Sequence, residues 1–118
     1  MDNSIWLVGR ITRDPELQMM KNGIPRIRLN LAVPHFWYDK ATRTRLERKS
    51  YFEVVAFHEL AVNASETLLR GDNVIVVGEL LQQHFRKADG DDVAATEVSA
   101  SHIGVDLRST VVEVIDPD

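Results

Sequence analysis

The sequence predicts a small, mostly antiparallel β-barrel with one short helix. Most of the chain consists of short runs of β-forming residues, and several of these runs alternate apolar and polar side chains. Only residues 58–70 change to a helical spacing, and turn-forming residues separate the runs. A chain of 118 residues can bury one core, so we expect residues 1–118 to form a single domain.

The composition narrows the class of protein. Apolar residues make up 44% of the chain and charged residues 27%, which is ordinary for a soluble globular protein. The absence of cysteine excludes disulfides, thiolate metal sites and a cysteine nucleophile. The apolar runs are far shorter than a membrane span, and the first residues lack the features of a signal peptide. We therefore expect a cytoplasmic protein with no membrane partner.

The first strand is predicted at residues 4–13, which are rich in β-forming side chains. It stops at an Asp-Pro pair, because the residue before a proline and the missing N–H of the proline both interrupt a ladder. Residues 16–20 are compatible with a continuation of this strand after a bend. The Lys-Asn-Gly triplet at residues 21–23 predicts a hairpin turn, since Asn and Gly tolerate positive φ.

The next strand is predicted at residues 26–33, where polar and apolar side chains alternate strictly. This alternation places four apolar side chains on one buried face, those of Ile27, Leu29, Leu31 and Val33. Pro34 is expected to end the strand. Residues 51–57 predict a further strand.

A helix is predicted at residues 58–70, with Gly71 as its C-cap. Residues 73–85 then predict a buried strand, and residues 89–91 a turn. Strands at 93–103 and 109–115 complete the chain. This order is typical of the five-stranded oligonucleotide-binding (OB) barrel with one additional C-terminal strand, although the periodicity alone also allows other small α+β folds.

Aromatic and basic side chains alternate along residues 36–57. Rings at 36–38 precede the segment 40–49, which carries five basic residues and one acid, and further rings follow at 51, 52 and 57. Stacking rings between cations is what a single nucleic-acid strand requires, because bases stack on the rings and cations neutralise the phosphates. A charged hairpin loop flanked by ordinary core aromatics explains the same pattern equally well.

The distribution of charge is more informative than its sum. The net charge is −4, but 10 of the 14 basic residues lie within residues 1–49, and eight acids lie within residues 89–118. A basic first half can produce a local positive field in an acidic protein. Uneven but solvated surface charge is the alternative interpretation.

Several ordered segments resemble the bacterial single-stranded DNA-binding protein (SSB) family over nearly the whole chain. The resemblance includes a Val-Gly-Arg-Ile-Thr-Arg-Asp-Pro-Glu-Leu opening and a Trp-Tyr-Asp-Lys-Ala-Thr segment. The matching residues are 8–17, 22–23, 37–42, 54–57, 60–61, 69–74 and 77–80. The resemblance implies an OB fold that binds single-stranded DNA without strong sequence preference and performs no chemistry, with no cofactor, metal or catalytic residue.

The resemblance also implies particular site residues. Four side chains fall at stacking positions of the family, namely Trp37, Tyr51, Phe57 and Phe85. Two basic residues, Lys40 and Arg70, match basic positions of the family. Further cations able to contact phosphate are Arg10, Arg13, Arg26, Arg28, Arg43, Arg45, Arg48 and Lys49. The expected surface combines a loop around residues 37–50, the face of the barrel and a hairpin around residues 84–95. Trp6 is expected in the core or at an interface.

Some positions depart from the family pattern. Glu53 and Glu59 lie where a basic residue is frequent, and residues 80–84 carry few of the cations expected before Phe85. Because each lost phosphate contact weakens binding at every sequence, we expect comparatively weak and strongly salt-sensitive binding.

The C-terminal segment resembles the actinobacterial branch of the family. Residues 107–114 resemble its extra strand, so we expect a subunit-clamping strand at 108–116 and a homotetramer arranged as a dimer of dimers. The sequence stops at residue 118 without the flexible acidic-tipped tail of the family, which puts tail-mediated recruitment of replication or repair proteins in doubt.

The resemblance implies a role in protecting exposed strands in replication, recombination and repair, in the cytoplasm at the nucleoid. Two other functions remain open at this point. An OB-fold protein-interaction subunit, primosomal or secretion-associated, would fit the few cations before Phe85. An RNA-binding OB domain would differ in contacting the 2′-hydroxyl, which no feature of the sequence reports.

Overall fold

Five strands close into a barrel, and a sixth strand extends it on one edge. The computed structural model describes residues 3–115, apart from the side chains of Phe85 and Val93. The elements in chain order are β1 (Ser4–Ile11), β2 (Glu16–Met19), β3 (Pro25–Asp39), β4 (Thr44–Phe57), α1 (His58–Thr67), β5 (Asn73–Arg86) and β6 (Asp92–Val105).

The strand order follows the closed path β1-β5-β6-β4-β3 and returns from β3 to β1. All pairs are antiparallel except β4–β6, which is a short parallel contact of Val54 with Val98 and of Val55 with Ser99. The barrel closes where Arg10 and Ile11 of β1 pair with β3. This architecture confirms the predicted OB fold. The short β2 is a separate strand that pairs with β3, so it does not continue β1.

The core contains the aliphatic side chains that the alternation of β3 predicted. Ile27, Leu29 and Leu31 have no exposed surface, and Val33 packs against the edge of the same cluster. Alternate residues of the neighbouring strands and two alanines of α1 complete this core, which also contains Leu7, Ile11, Val54, Ala56, Ala61, Ala64, Leu68, Val74, Val76 and Val98. Burial of this apolar surface is the main force that closes the barrel.

Pro34 does not end β3, contrary to the prediction. The strand continues to Asp39, and Pro34 lies opposite Lys49 within a regular ladder. Among the described residues, β3 pairs only with β4 beyond Ala32, so one edge of the strand is free there. A proline is tolerated at such an edge, because its missing N–H removes no ladder hydrogen bond.

The helix is shorter than predicted, and Gly71 is not its C-cap. The helix ends at Thr67, and Leu68 turns into the core, where it is 3% exposed. The next backbone N–H, of Leu69, donates to Oδ2 of Asp72 at 2.8 Å, which satisfies a group that a longer helix would use. Gly71 instead supplies a positive φ of 94° in the turn that leads into β5.

Two hairpins project from the barrel as two-stranded arms. We call residues 34–49 the first arm, formed by the outer parts of β3 and β4, and residues 80–97 the second arm, formed by β5 and β6. The predicted turn at residues 89–91 lies at the tip of the second arm, where Gly90 has a φ of 93°. The radius of gyration of 16.8 Å exceeds the value of about 13.5 Å expected for a compact chain of this length, in keeping with these arms.

The C-terminal segment is attached to the barrel and then leaves it. Asp106 donates its N–H to the carbonyl of Asn73 at 2.9 Å, and the Asn73 amide donates to Oγ of Ser109 at 3.0 Å. Residues 110–115 form no strand within the described chain, and Val111 is 94% exposed. The strand predicted at 109–115 is therefore not formed by one subunit alone. The proposed clamp at 108–116 stays a prediction, and residues 116–118 lie outside the described part.

Candidate nucleic-acid interface

The basic segment of residues 40–49 forms the turn and part of one strand of a regular hairpin, whereas the sequence predicted a loop. Strand pairing continues to Asp39 opposite Thr44, so only residues 40–43 form the turn. The Asp39 carboxylate accepts the N–H of Ala41 at 2.9 Å, and Arg43 adopts a left-handed φ of 55° to close the turn. Three of the five cations, Arg45, Arg48 and Lys49, are therefore held on a strand, and the ladder determines which ring each of them lies beside.

The ladder of the first arm runs without a bulge, so alternate residues separate cleanly onto two faces. One face continues the core side of β3 and carries His35, Trp37, Leu46 and Arg48. The opposite face continues the outer side of the barrel and carries Phe36, Tyr38, Arg45, Glu47 and Lys49. Two predicted stacking residues, Trp37 and Tyr51, consequently lie on opposite faces, because Tyr51 pairs with Ala32 on the outer side.

Trp37 lies beside a second ring and a cation. Its ring stacks on His35 with centroids 5.9 Å apart and planes inclined by 25°. The Arg48 guanidinium lies 5.7 Å from the Trp37 ring centre, which is within the range of a cation–π contact. Trp37 is nevertheless 39% exposed, so part of the indole is available to a base.

The outer face of the first arm repeats this arrangement with different residues. The Arg45 guanidinium lies 4.3 Å from the centre of the Phe36 ring, and Phe36 is 45% exposed. Tyr38 pairs with Arg45 across the ladder, and Tyr51 is among the more exposed rings at 72%. Sequence reasoning did not select Phe36 and Tyr38 as site residues. Phe36 and Tyr38 flank Trp37 in sequence, so in a strand they share the face opposite to that of Trp37. This spacing of two residues was the signal that could have identified them.

The other two predicted stacking residues lie away from the first arm. Phe57 is half-buried at the end of β4, opposite Arg26 on the outer side of the barrel. Phe85 pairs through its backbone with Val93 in the second arm, and its side chain lies outside the described residues. The structure thus places Trp37 on the arm that carries five cations, with Arg48 beside it, and places Phe57 in a different environment.

The predicted phosphate contacts fall into four groups, of which three carry no ion pair to a carboxylate among the described residues. Lys40, Arg43, Arg45, Arg48 and Lys49 are all exposed on the first arm. Arg13 and Arg70 are exposed near the turn before β5, where the Arg70 N–H donates to Asp14 at 2.7 Å. Arg10 lies on β1, and its Nε donates to the carbonyl of Gly71 at 3.3 Å.

The remaining two cations, Arg26 and Arg28, are already paired with carboxylates. Arg28 Nε lies 2.8 Å from Glu53 Oε1, and Arg26 Nη2 lies 4.0 Å from Glu97 Oε2. The Arg26 and Glu97 side chains are only 16% and 12% exposed. A phosphate that approached either guanidinium would also meet the carboxylate beside it.

An open groove of about 420 Å³ lies at the base of the first arm. Phe36 and Lys49 line it from the arm, Arg10 from β1, and Arg108 from the C-terminal segment. Arg108 is a cation that the sequence did not indicate, because only the path of residues 106–109 brings it beside β1 and β3. The acids Glu47 and Asp106 also line the groove, so its charge is mixed.

The two arms carry opposite charge. The first arm has five basic and two acidic side chains, whereas the second has two basic and four acidic ones. A polyanion is therefore attracted to the first arm more strongly than to the second. In the part of the chain that the structure describes, no helix is both long and apolar enough to cross a membrane.

Comparison with known proteins adds independent information. The model of the "Single-strand binding protein family" matches residues 2–106. The chain is 32% identical to a "Single-stranded DNA-binding protein" of Mycobacterium leprae over 96% of this chain and 68% of that protein. It is 29% identical to "Single-stranded DNA-binding protein 1" of Tropheryma whipplei over 92% of this chain and 59% of that protein.

A solved structure shows the same architecture. The crystal structure of a small single-stranded DNA-binding protein from Streptomyces coelicolor superposes with a TM-score of 0.75 at 30% identity. The alignment covers 93% of this chain and 99% of that one. The similarity therefore includes the barrel together with most of the rest of the chain.

Proposed function

The chain belongs to the single-strand binding protein family, and from this premise we propose that it binds single-stranded DNA without strong sequence preference. The observation that carries the proposal is the first arm, where partly exposed rings alternate with guanidinium groups at 4.3 and 5.7 Å. Every base has a π-face, so stacking on such rings is tolerant of sequence. The proposed activity is binding alone, with no catalytic step.

Binding on the first arm combines stacking with neutralisation of phosphate. Trp37 offers a stacking surface on one face of the arm, Phe36 and Tyr38 offer surfaces on the other, and Tyr51 continues that second face onto the barrel. Arg45 and Arg48 already lie beside two of these rings, so a base that stacks there brings its phosphate close to a cation. Each stacked base contributes about 1–3 kcal/mol, and each neutralised phosphate adds to the salt dependence.

Tryptophan fluorescence tests the proposal directly. The Trp6→Phe variant leaves Trp37 as the only tryptophan, so quenching by oligo-dT reports on the first arm. We expect strong quenching at about 50 mM salt and weaker binding at about 200 mM, because counterion release drives the association. Absence of quenching and of any anisotropy change at the lower salt would contradict the proposal. Competition between poly-dT and poly-U separates DNA from RNA preference.

We propose that the protein assembles as a homotetramer, a dimer of dimers. Trp6 and Val8 are 71% and 46% exposed on the outer side of β1, beside Ile75 and Val77 of β5. Such a contiguous apolar face on a small domain is typical of an interface. The edge of β1 that precedes Arg10 has no paired strand among the described residues, and pairing with a second copy would cover it.

We further propose a cellular role in the protection of single strands during replication, recombination and repair, which places the protein in the cytoplasm at the nucleoid. The support for this role is membership of the family together with the exposed binding surface of the first arm. Recruitment of other proteins through a C-terminal tail is not part of the proposal.

A further inference from the structure

The outer face of the barrel carries cations whose charge is already cancelled. Arg26 and Arg28 project from β3, and Glu53 and Glu97 project from β4 and β6 on the same side. Glu16 of β2 lies directly opposite Arg28 in the ladder. Opposite residues of an antiparallel pair project to the same face, so two guanidinium groups share this surface with three carboxylates.

The contacts within this face are specific. Arg28 Nε and Glu53 Oε1 are 2.8 Å apart, which is a short charge-assisted hydrogen bond. Glu97 also accepts a hydrogen bond from Nε2 of Gln83 at 2.9 Å, which holds its carboxylate beside Arg26. Both acids are therefore oriented by their neighbours.

Val55 is a buried residue on this outer face. Val55 pairs with Arg28 on the outer face and is outside the main core cluster, yet it is only 1% exposed. The long side chains of the outer face must cover it, because the core side of β4 is occupied by the alternate residues. An arginine that already donates a short hydrogen bond to a carboxylate is poorly placed to reach a phosphate.

From these contacts we propose that Glu53 and Glu97 act as positioning residues that withhold Arg28 and Arg26 from the phosphates of bound single-stranded DNA. They hold Arg28 and Arg26 in ion pairs, so the part of the outer face around these two arginines contributes little to binding. This inference rests on the proposed function, and it deepens that function by separating the cations that contact phosphate from those that do not.

Glu53 is the better position for a test. The Glu53 and Arg28 side chains are 40% and 50% exposed, so either charge can be removed without leaving a buried ion. Removal of Glu97 would leave the mostly buried Arg26 unpaired, and the variant could fail to fold for that reason. Glu66→Gln, at an exposed position on α1, is the matched control for loss of one negative charge.

The experiment is a cycle of Glu53→Gln, Arg28→Gln and the double variant, titrated with labelled oligo-dT at several salt concentrations. We expect Glu53→Gln to steepen the log–log salt slope by about 0.7, which adds roughly threefold in affinity between about 200 and 50 mM salt. Arg28→Gln alone should leave the slope unchanged, and in the Glu53→Gln background it should abolish the gain. Glu66→Gln should behave as the wild type.

The possible outcomes separate the two proposals. Failure of the wild type to bind oligo-dT at low salt would overturn the proposed function, and the inference with it. Binding by the wild type with an unchanged slope in Glu53→Gln would overturn the inference alone. A gain that persists in the double variant, or that Glu66→Gln reproduces, would also overturn it, because the effect would then be one of general charge and not of Arg28.

Discussion

At the scale of single residues, Trp37 is a side chain that makes contacts within the arm and also exposes surface for binding. It contacts His35 and Arg48 but belongs to neither the core cluster nor the residues packed against it. Its contribution to folding should therefore be small, whereas its exposed indole surface is available to a base.

Trp37→Ala should weaken oligo-dT binding by about 1–3 kcal/mol, because one stacked base loses its partner. The free energy of unfolding should change by only about 1 kcal/mol, since the cation–π contact with Arg48 and the stacking contact with His35 are both at an exposed position. Anisotropy titration and chemical denaturation measure the two quantities. An unchanged affinity together with a lower melting temperature would instead identify Trp37 as a structural residue.

Gly78 illustrates a residue whose role is purely structural. It lies in β5 at an irregularity of the β5–β6 ladder, and a Cβ built there would clash with the carbonyl oxygen of Ser99 and come within 3.0 Å of Ala100 Cα. Gly104 lies in β6, and a Cβ at that position would meet no heavy atom within 4 Å.

Gly78→Ala should therefore destabilise the protein by about 1–3 kcal/mol, as expected when an added methyl group forces a backbone shift. Gly104→Ala is the matched control, with an expected change below about 0.5 kcal/mol. Urea denaturation of both variants compares them. Equal stabilities would show that the bulge relaxes without cost.

At the scale of elements, the first arm is the unit that carries the proposed binding surface. The ladder between β3 and β4 determines which cations lie beside which rings. The cations of the arm should therefore contribute together to the salt dependence of DNA binding. The acidic second arm provides an internal contrast of similar shape.

Reversal of three charges on the first arm, in the variant Arg45→Glu, Arg48→Glu and Lys49→Glu, should reduce the salt slope of DNA binding by roughly 2. Arg43 is left unchanged because it has a left-handed φ of 55°, so a substitution there would change backbone strain as well as charge. Lys21→Glu, in the exposed turn between β2 and β3, is the single-charge control. A slope equal to that of the wild type would place the strand elsewhere.

The strands and the helix also show which structural features could be predicted from the sequence and which could not. The alternation of residues 26–33 identified the buried face of β3 correctly, because a period of two reports directly on burial. Pro34 and Gly71 were misjudged, since their consequences depend on whether a neighbouring strand or side chain uses the adjacent backbone groups. The pairing of Arg28 with Glu53 was not predicted, because it depends on the register of the β3–β4 hairpin, which the expected loop around residues 37–50 left undefined.

At the scale of the whole molecule, one surface remains apolar and uncovered in the single chain. Trp6, expected in the core or at an interface, is 71% exposed and therefore lies outside the core of this subunit. Together with Val8 it forms the face assigned above to subunit assembly.

Trp6→Glu should dissociate the proposed tetramer, because an unpaired charge buried at an interface is strongly unfavourable. Sedimentation velocity measures the assembly, and circular dichroism checks that the barrel stays folded. Met19→Glu is the control, at a position on β2 that is 67% exposed and lies away from this face. A monomeric wild type, or a tetrameric Trp6→Glu variant, would contradict the assignment.

The free edge of β3 beyond Ala32 has a further consequence for how the molecule moves. From Val33 to Asp39 the backbone pairs with β4 alone among the described residues, and a two-stranded ribbon is only marginally stable in water. Amide protons there should exchange with deuterium through local opening, well before those of Ile27 to Leu31 in the barrel. A strand of DNA bound along the arm would slow that exchange selectively. Protection confined to residues 33–50 would therefore locate the bound strand without a label on the DNA.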